Sequence, residues 1–196
     1  KGYIKGMKRI YLDYAAAAPV IPAALRAFRK ALSVYGNPSS AHAEGREAKA
    51  ILDAARATIA RLTGAKAENV IFTSGATEAN ALAIRGHVRA RVESGAALSD
   101  LHLLYLSSAH ASVVETMRAL AREGAKTEPL PLKDGDVDVE AMKKLIRPET
   151  TLVSLDSVSS ETGLRHDARA VRGALRSDIV LHVDASQSPL FESLER

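Results

Sequence analysis

Apolar positions along this chain alternate between two spacings: short runs rich in Leu, Val and Ile, and longer stretches with helical period. The stretch 21–34, entered after Pro19 and closing near Gly36, predicts a helix. Ala48, Ile51, Leu52, Ala55, Ile59 and Leu62 mark a long amphipathic helix closed by Gly64. Residues 69–73 (NVIFT) read as a strand feeding a helix over 77–93, along which Ala79, Leu82, Ala83 and Val88 follow at helical spacing. A strand over 101–106 leads to a helix over 111–123 that Gly124 ends. Asp138 is placed to cap the next helix, with Val137 and Met142 as its hydrophobic staple. A strand over 151–156, a turn at Ser160–Gly163, a short helix begun by Asp167 and a strand running into Asp184 complete the pattern. Strands separated by helices predict an α/β fold, a mostly parallel sheet covered on both faces, in one domain.

Composition narrows the function classes. At 46% hydrophobic and 26% charged residues, the 196-residue chain has the make-up of an ordinary globular protein. The longest apolar runs are of strand length, and no signal-peptide pattern precedes them, so no membrane partner is expected. The net charge of +4 raises the question of nucleic acid. Basic residues alternate with acids along helices, however, and the tightest group, Arg85, Arg89 and Arg91, reads as a solvated helix face. Aromatics make up only 4%, without Trp, so base-stacking platforms are not expected. There is no cysteine, which excludes disulfides and thiolate metal sites within these residues. Lys1–Gly6, ahead of Met7, reads as a tag remnant or an extension.

Two stretches carry chemistry. Ser74-Gly75-Ala76-Thr77 brings small residues to a helix start, where unpaired N–H groups and a partial positive charge favour a phosphate, with the Thr77 hydroxyl as a further donor. The second is the apolar run 179–183 ending in Asp184, which puts a carboxylate at the C-terminal edge of a parallel sheet, where ligands of such sheets bind. Taken alone, such a turn also serves mere helix capping, and such an Asp serves as a metal ligand, a ribose contact or a helix cap; together they suit a phosphorylated heterocycle whose ring nitrogen needs an anionic partner. Pyridoxal 5'-phosphate fits that description.

These motifs, taken with IYLDYAAAAP (10–19), GNPSSAH (36–42), VIFTSGATEANALAI (70–84), His110 and the helix after it, SETG (160–163) and HVDASQS (182–188), resemble in order the first half of a cysteine desulfurase. That family is NifS/IscS-like and belongs to the class V aminotransferase group of pyridoxal-phosphate enzymes. The resemblance implies the large-domain portion of a fold-type I transferase over 7–196, with the small C-terminal domain absent. It implies a homodimer in the cytoplasm that takes sulfur from L-cysteine, leaving alanine and an enzyme persulfide, and serves a sulfur-acceptor protein in iron–sulfur cluster assembly. It assigns cofactor contacts to Ala76, Thr77, His110, Ser160, Asp184 and Gln187, with His110 stacked on the ring and moving protons, and no metal. Ser159-Ser160-Glu161 departs from the family's Asn-Asn-Glu, so Ser160 offers a hydroxyl in place of an amide. Ala15–Ala18 replaces hydroxyl-bearing residues before Pro19.

The resemblance also implies an incomplete catalyst. The Schiff-base lysine of the family follows the Asp strand by roughly two dozen residues, whereas the last lysine here is Lys144, and the nucleophilic cysteine has no counterpart. Selenocysteine lyase, kynureninase-like and aminotransferase relatives remain alternatives. So does a non-catalytic fragment that binds a phosphate ligand or a protein partner. A metal hydrolase built on His182 and Asp184, which share a strand face, lacks a third ligand, and dinucleotide binding lacks a G-x-G-x-x-G or Walker sequence.

Overall fold

A computed structural model describes residues 10–188; the Lys1–Gly6 stretch lies outside the described residues. Contacts divide the chain into two units, one running to Val70 and the other beginning at Ile71.

Among its described residues the first unit holds two α-helices. α1 (Pro22–Leu32) starts on a proline, whose fixed φ suits the first turn, and none of its residues is buried. α2 (Ala43–Thr63) is capped by the His42 side chain, which accepts from Gly45 N, and ends at Gly64 in the left-handed region, as the sequence predicts. Its expected apolar stripe forms but stays open: Ile51, Ile59 and Leu62 are exposed, and only Gly45 and Ala60 are buried.

The expected strand over 69–73 does not form. Ala67–Asn69 is a short 3-10 turn, and Val70 is extended without joining any described sheet. β-branched residues favour extension, but a strand also needs a neighbour to complete its ladder, and no described strand pairs there. Ile71 and Phe72 are accordingly exposed.

In the second unit, α3 (Ala76–Glu93) precedes a parallel sheet built from β1 (His102–Tyr105), β2 (Lys126–Pro129), β5 (Thr150–Asp156) and β6 (Val180–Asp184), in the order β2-β1-β5-β6. A separate hairpin of β3 (Leu132–Lys133) and β4 (Asp136–Val137) turns at Asp134-Gly135, both at positive φ. α4 (Ala111–Glu123) connects β1 to β2, α5 (Val139–Leu145) precedes β5, and α6 (Ala168–Ala174) connects β5 to β6. The β1-to-β2 and β5-to-β6 steps run in opposite directions across the sheet. Right-handed crossovers therefore put α4 and α6 on opposite faces. The switch falls between β1 and β5, and open α/β sheets take their ligands outside the C-terminal strand ends at such a point.

The core is the sheet itself. Leu103, Leu104, Leu152, Val153 and Leu155 are buried, and Ile84, Val88, Val113, Met117 and Leu120 cover them from α3 and α4. Asp138 and Asp167 cap α5 and α6, accepting from Ala141 N and Ala170 N, and Val137 and Met142 are both buried. One expectation is corrected by rotation. The buried stripe of α3 is Asn80, Ile84 and Val88, while Leu82 is exposed, because α3 carries apolar residues on more than one face and tertiary packing selects among them.

Candidate active site

The N-terminus of α3 follows Gly75, whose backbone is fully extended and whose Cα faces open space. Glu78 folds back so that its carboxylate accepts from Ser74 N at 2.6 Å and Ser74 Oγ at 2.7 Å. The side-chain bond from Ser74, followed by the backbone one, holds the Glu78 carboxyl below the usual range. Ala76 and Thr77 are exposed in the first turn. Asn80 follows Ala76 by four residues, about 6 Å along the axis, and turns inward.

Asp184 ends β6 with both carboxylate oxygens occupied. Oδ1 accepts from Ser186 N at 2.9 Å and from the Ser186 hydroxyl; Oδ2 accepts from Asn80 Nδ2 at 2.7 Å. Burial, the largest single effect, pushes its pKa up, but the bonds from Ser186 and Asn80 and the nearby His182 outweigh it and hold the group below the ordinary aspartate value. Its main chain is pinned as well: Ser157 N donates to Asp184 O at 2.9 Å, and the Ser157 and Ser188 hydroxyls meet at 2.5 Å.

His110 caps α4. Ser112 N donates to its Nδ1 at 3.1 Å, and Ser112 Oγ lies 2.8 Å from the same nitrogen. Ser112 Oγ also accepts from Asn80 Nδ2 at 3.0 Å. Asn80 and Ser112 thus join Asp184 to His110, two residues that the sequence singles out separately. Neither connector is marked by the sequence reading. The available signal is Asn80 itself, a polar residue in register with Ile84 and Val88 on an apolar face.

Ser160, Gln187 and His182 lie on neighbouring turns and on β6. Ser160 is exposed, and the turn around it is organised by buried Ser159, whose hydroxyl accepts from Glu161 N and Thr162 N. Gln187 is half-buried on the turn between Ser186 and Ser188. His182 contacts Ser154 Oγ at 2.8 Å, and burial lowers its pKa. Among the described residues, no group of three or more His, Cys, Asp or Glu is placed to hold a metal ion.

A second carboxylate shares the edge. Asp156 pairs in register with Asp184. Its Oδ1 is buried without a partner and lies 3.9 Å from His166 Nε2, while His166 Nδ1 bonds Asp136 Oδ1 at 2.9 Å. Burial foremost, together with the Asp184 charge, raises the Asp156 pKa against the smaller opposing pull of its own backbone and His166.

The family model "Aminotransferase class-V" matches residues 10–193. The chain is 40% identical over 185 residues to the cysteine desulfurase IscS of Actinobacillus succinogenes, covering 91% of this chain and 45% of that protein. It is 38% identical to the IscS of Haemophilus influenzae over the same shares. It therefore spans about half the length of the curated relatives it matches. Among solved structures it is similar to SspA in complex with cysteine, at 32% identity and a TM-score of 0.83 over 91% of this chain and 51% of that one. It is also similar to a NifS-like protein, at 29% identity and a TM-score of 0.84 over 96% and 53%.

Proposed function

Because the chain belongs to the aminotransferase class-V family, we propose that it forms the N-terminal part of the large domain of a pyridoxal-phosphate-dependent cysteine desulfurase. The carrying observation is Asp184, a carboxylate at the C-terminal sheet edge, held as an acceptor by Asn80 and Ser186. That donor set fits the cofactor: an ionised Asp suits a protonated ring nitrogen, and the open first turn of α3 suits a phosphate. When bound, pyridoxal phosphate supplies an electron sink for carbon–sulfur bond cleavage in cysteine.

The roles of this chain's residues follow. Asp184 would hold the ring proton, Ala76 N–H and the Thr77 N–H and hydroxyl would receive the phosphate, and His110 would lie over the ring. Gln187 and Ser160 would supply polar contacts from neighbouring turns. The reaction also needs a thiol and a lysine amine. No cysteine occurs in these residues, so the thiol would come from elsewhere in a family-length protein. We further assign a cytoplasmic setting, L-cysteine as substrate and a protein sulfur acceptor. The homology to IscS proteins supports these assignments, and no described helix is long and apolar enough to cross a membrane. The open apolar faces of α1 and α2 support self-association into a homodimer.

The test uses the full-length protein, with pyridoxal phosphate uptake followed by absorbance and alanine and sulfide measured from cysteine. Asp184→Ala should lose both while the protein stays folded, and Thr77→Val should weaken uptake. Unchanged turnover in the Asp184 variant would sink the assignment.

A further inference from the structure

The hydrogen bonds between Asp184 and His110 have a direction that the atom types dictate. A carboxylate cannot donate, so the group of Asn80 facing Asp184 Oδ2 at 2.7 Å is its NH2, not its carbonyl. The second hydrogen of that NH2 goes to Ser112 Oγ at 3.0 Å. Ser112 Oγ is thereby an acceptor at one lone pair, and its own hydrogen is left for His110 Nδ1 at 2.8 Å. The same Nδ1 receives Ser112 N–H at 3.1 Å. With two donors aimed at Nδ1, the proton of the neutral ring sits on Nε2.

We propose that Asn80 and Ser112 are positioning residues that bind Asp184 and His110 into one directed chain, fixing the carboxylate as an acceptor and presenting His110 as an Nε2–H donor. The meaning of the chain for catalysis rests on the function proposed above; its existence does not. Asn80 suits the role because it is buried at 4% exposure and is the polar member of the α3 stripe facing the core. An Asp in its place would repel Asp184, and a Ser has neither the reach nor two hydrogens. The proton on Nε2 leaves His110 able to donate to an electron-rich atom in the site. Its lone pair is spent on Ser112, so it does not act as a base through Nδ1.

The experiment reads the His110 ring nitrogens by 15N NMR in the full-length protein without cofactor. The ring should show the Nε2–H tautomer. Asp184→Asn, which keeps the shape and removes the charge, should shift the His110 Nδ1 resonance. In a Ser112→Ala background that response should be lost, and in a Ser112→Thr background, where the hydroxyl returns, it should reappear. Asn80→Leu should abolish it as well. A merely structural role for Ser112 predicts no such loss and rescue, since Ser112→Ala keeps the backbone N–H that caps Nδ1. A response that persists in Ser112→Ala, or an Nδ1–H tautomer, would overturn the proposal. Pyridoxal phosphate titration of the same proteins separates the two readings. Coupling without cofactor uptake removes the desulfurase assignment and leaves the bridge, whereas uptake without coupling does the reverse.

Discussion

Asp156→Asn should stabilise the protein at mildly alkaline pH. Asp136 Oδ1 can only accept, so a His166 ring carrying a single proton directs its Nδ1–H to Asp136 and turns the bare Nε2 toward Asp156 Oδ1 at 3.9 Å. Two acceptors then face each other, and the Asp156 oxygen is buried with no other partner. An unsatisfied buried polar group costs about 1–3 kcal/mol. Asn keeps the shape, removes the charge beside Asp184 and supplies an NH2 for Nε2, so a gain of about 1–2 kcal/mol is expected. The pH dependence follows from the raised pKa of Asp156 in the folded state. The folded protein binds this proton more tightly than the unfolded chain, so the cost is fully present above the folded pKa. It disappears below the ordinary aspartate value. Urea denaturation followed by circular dichroism should therefore show the variant's advantage near pH 8 and its loss below pH 4. A variant less stable than wild type near pH 8, or an advantage of equal size at both pH values, would refute the acceptor-against-acceptor argument.

Two further substitutions probe the frame. Leu104→Ala removes a fully buried side chain from the central strand β1 and should cost about 2–5 kcal/mol in the same denaturation assay. Gly45→Ala would set a Cβ 2.3 Å from Ser40 O. Backbone would have to move, so the His42 cap should open and the helical circular dichroism signal of α2 should fall.

Legibility in the sequence tracked how local each feature is. The cap residues Asp138 and Asp167 and the stop glycines Gly64 and Gly124 act within a turn of their own position, and all four stand where the pattern put them. β2 went unread because Lys126-Thr127-Glu128-Pro129 has no apolar period. It is a strand because β1 supplies its ladder, and its Lys, Glu and Pro suit a sheet edge. The 69–73 stretch failed in the opposite sense, with strand-forming residues and no ladder. At the site, Asp184 is legible from its place at a strand end, and His110 through the family resemblance. Asn80 and Ser112 are ordinary polar residues whose partnership exists only once α3 and α4 pack together. Ser160 stands in a readable turn, but it is Ser159 whose side chain organises that turn.

The separation between bonded partners also sets an order of assembly. Asn80 and Ser112 are 32 residues apart, whereas Asn80 and Asp184 are 104 apart. Closing the longer loop costs about 1 kcal/mol more in chain entropy, and it must wait for β6 to dock on β5. The α3–α4 half of the site is therefore the earlier to close during folding, and the carboxylate arrives last. Until it does, one amide hydrogen of Asn80 has no acceptor from β6, so the apparatus for gripping a ligand comes into being only with the final strand of the described sheet.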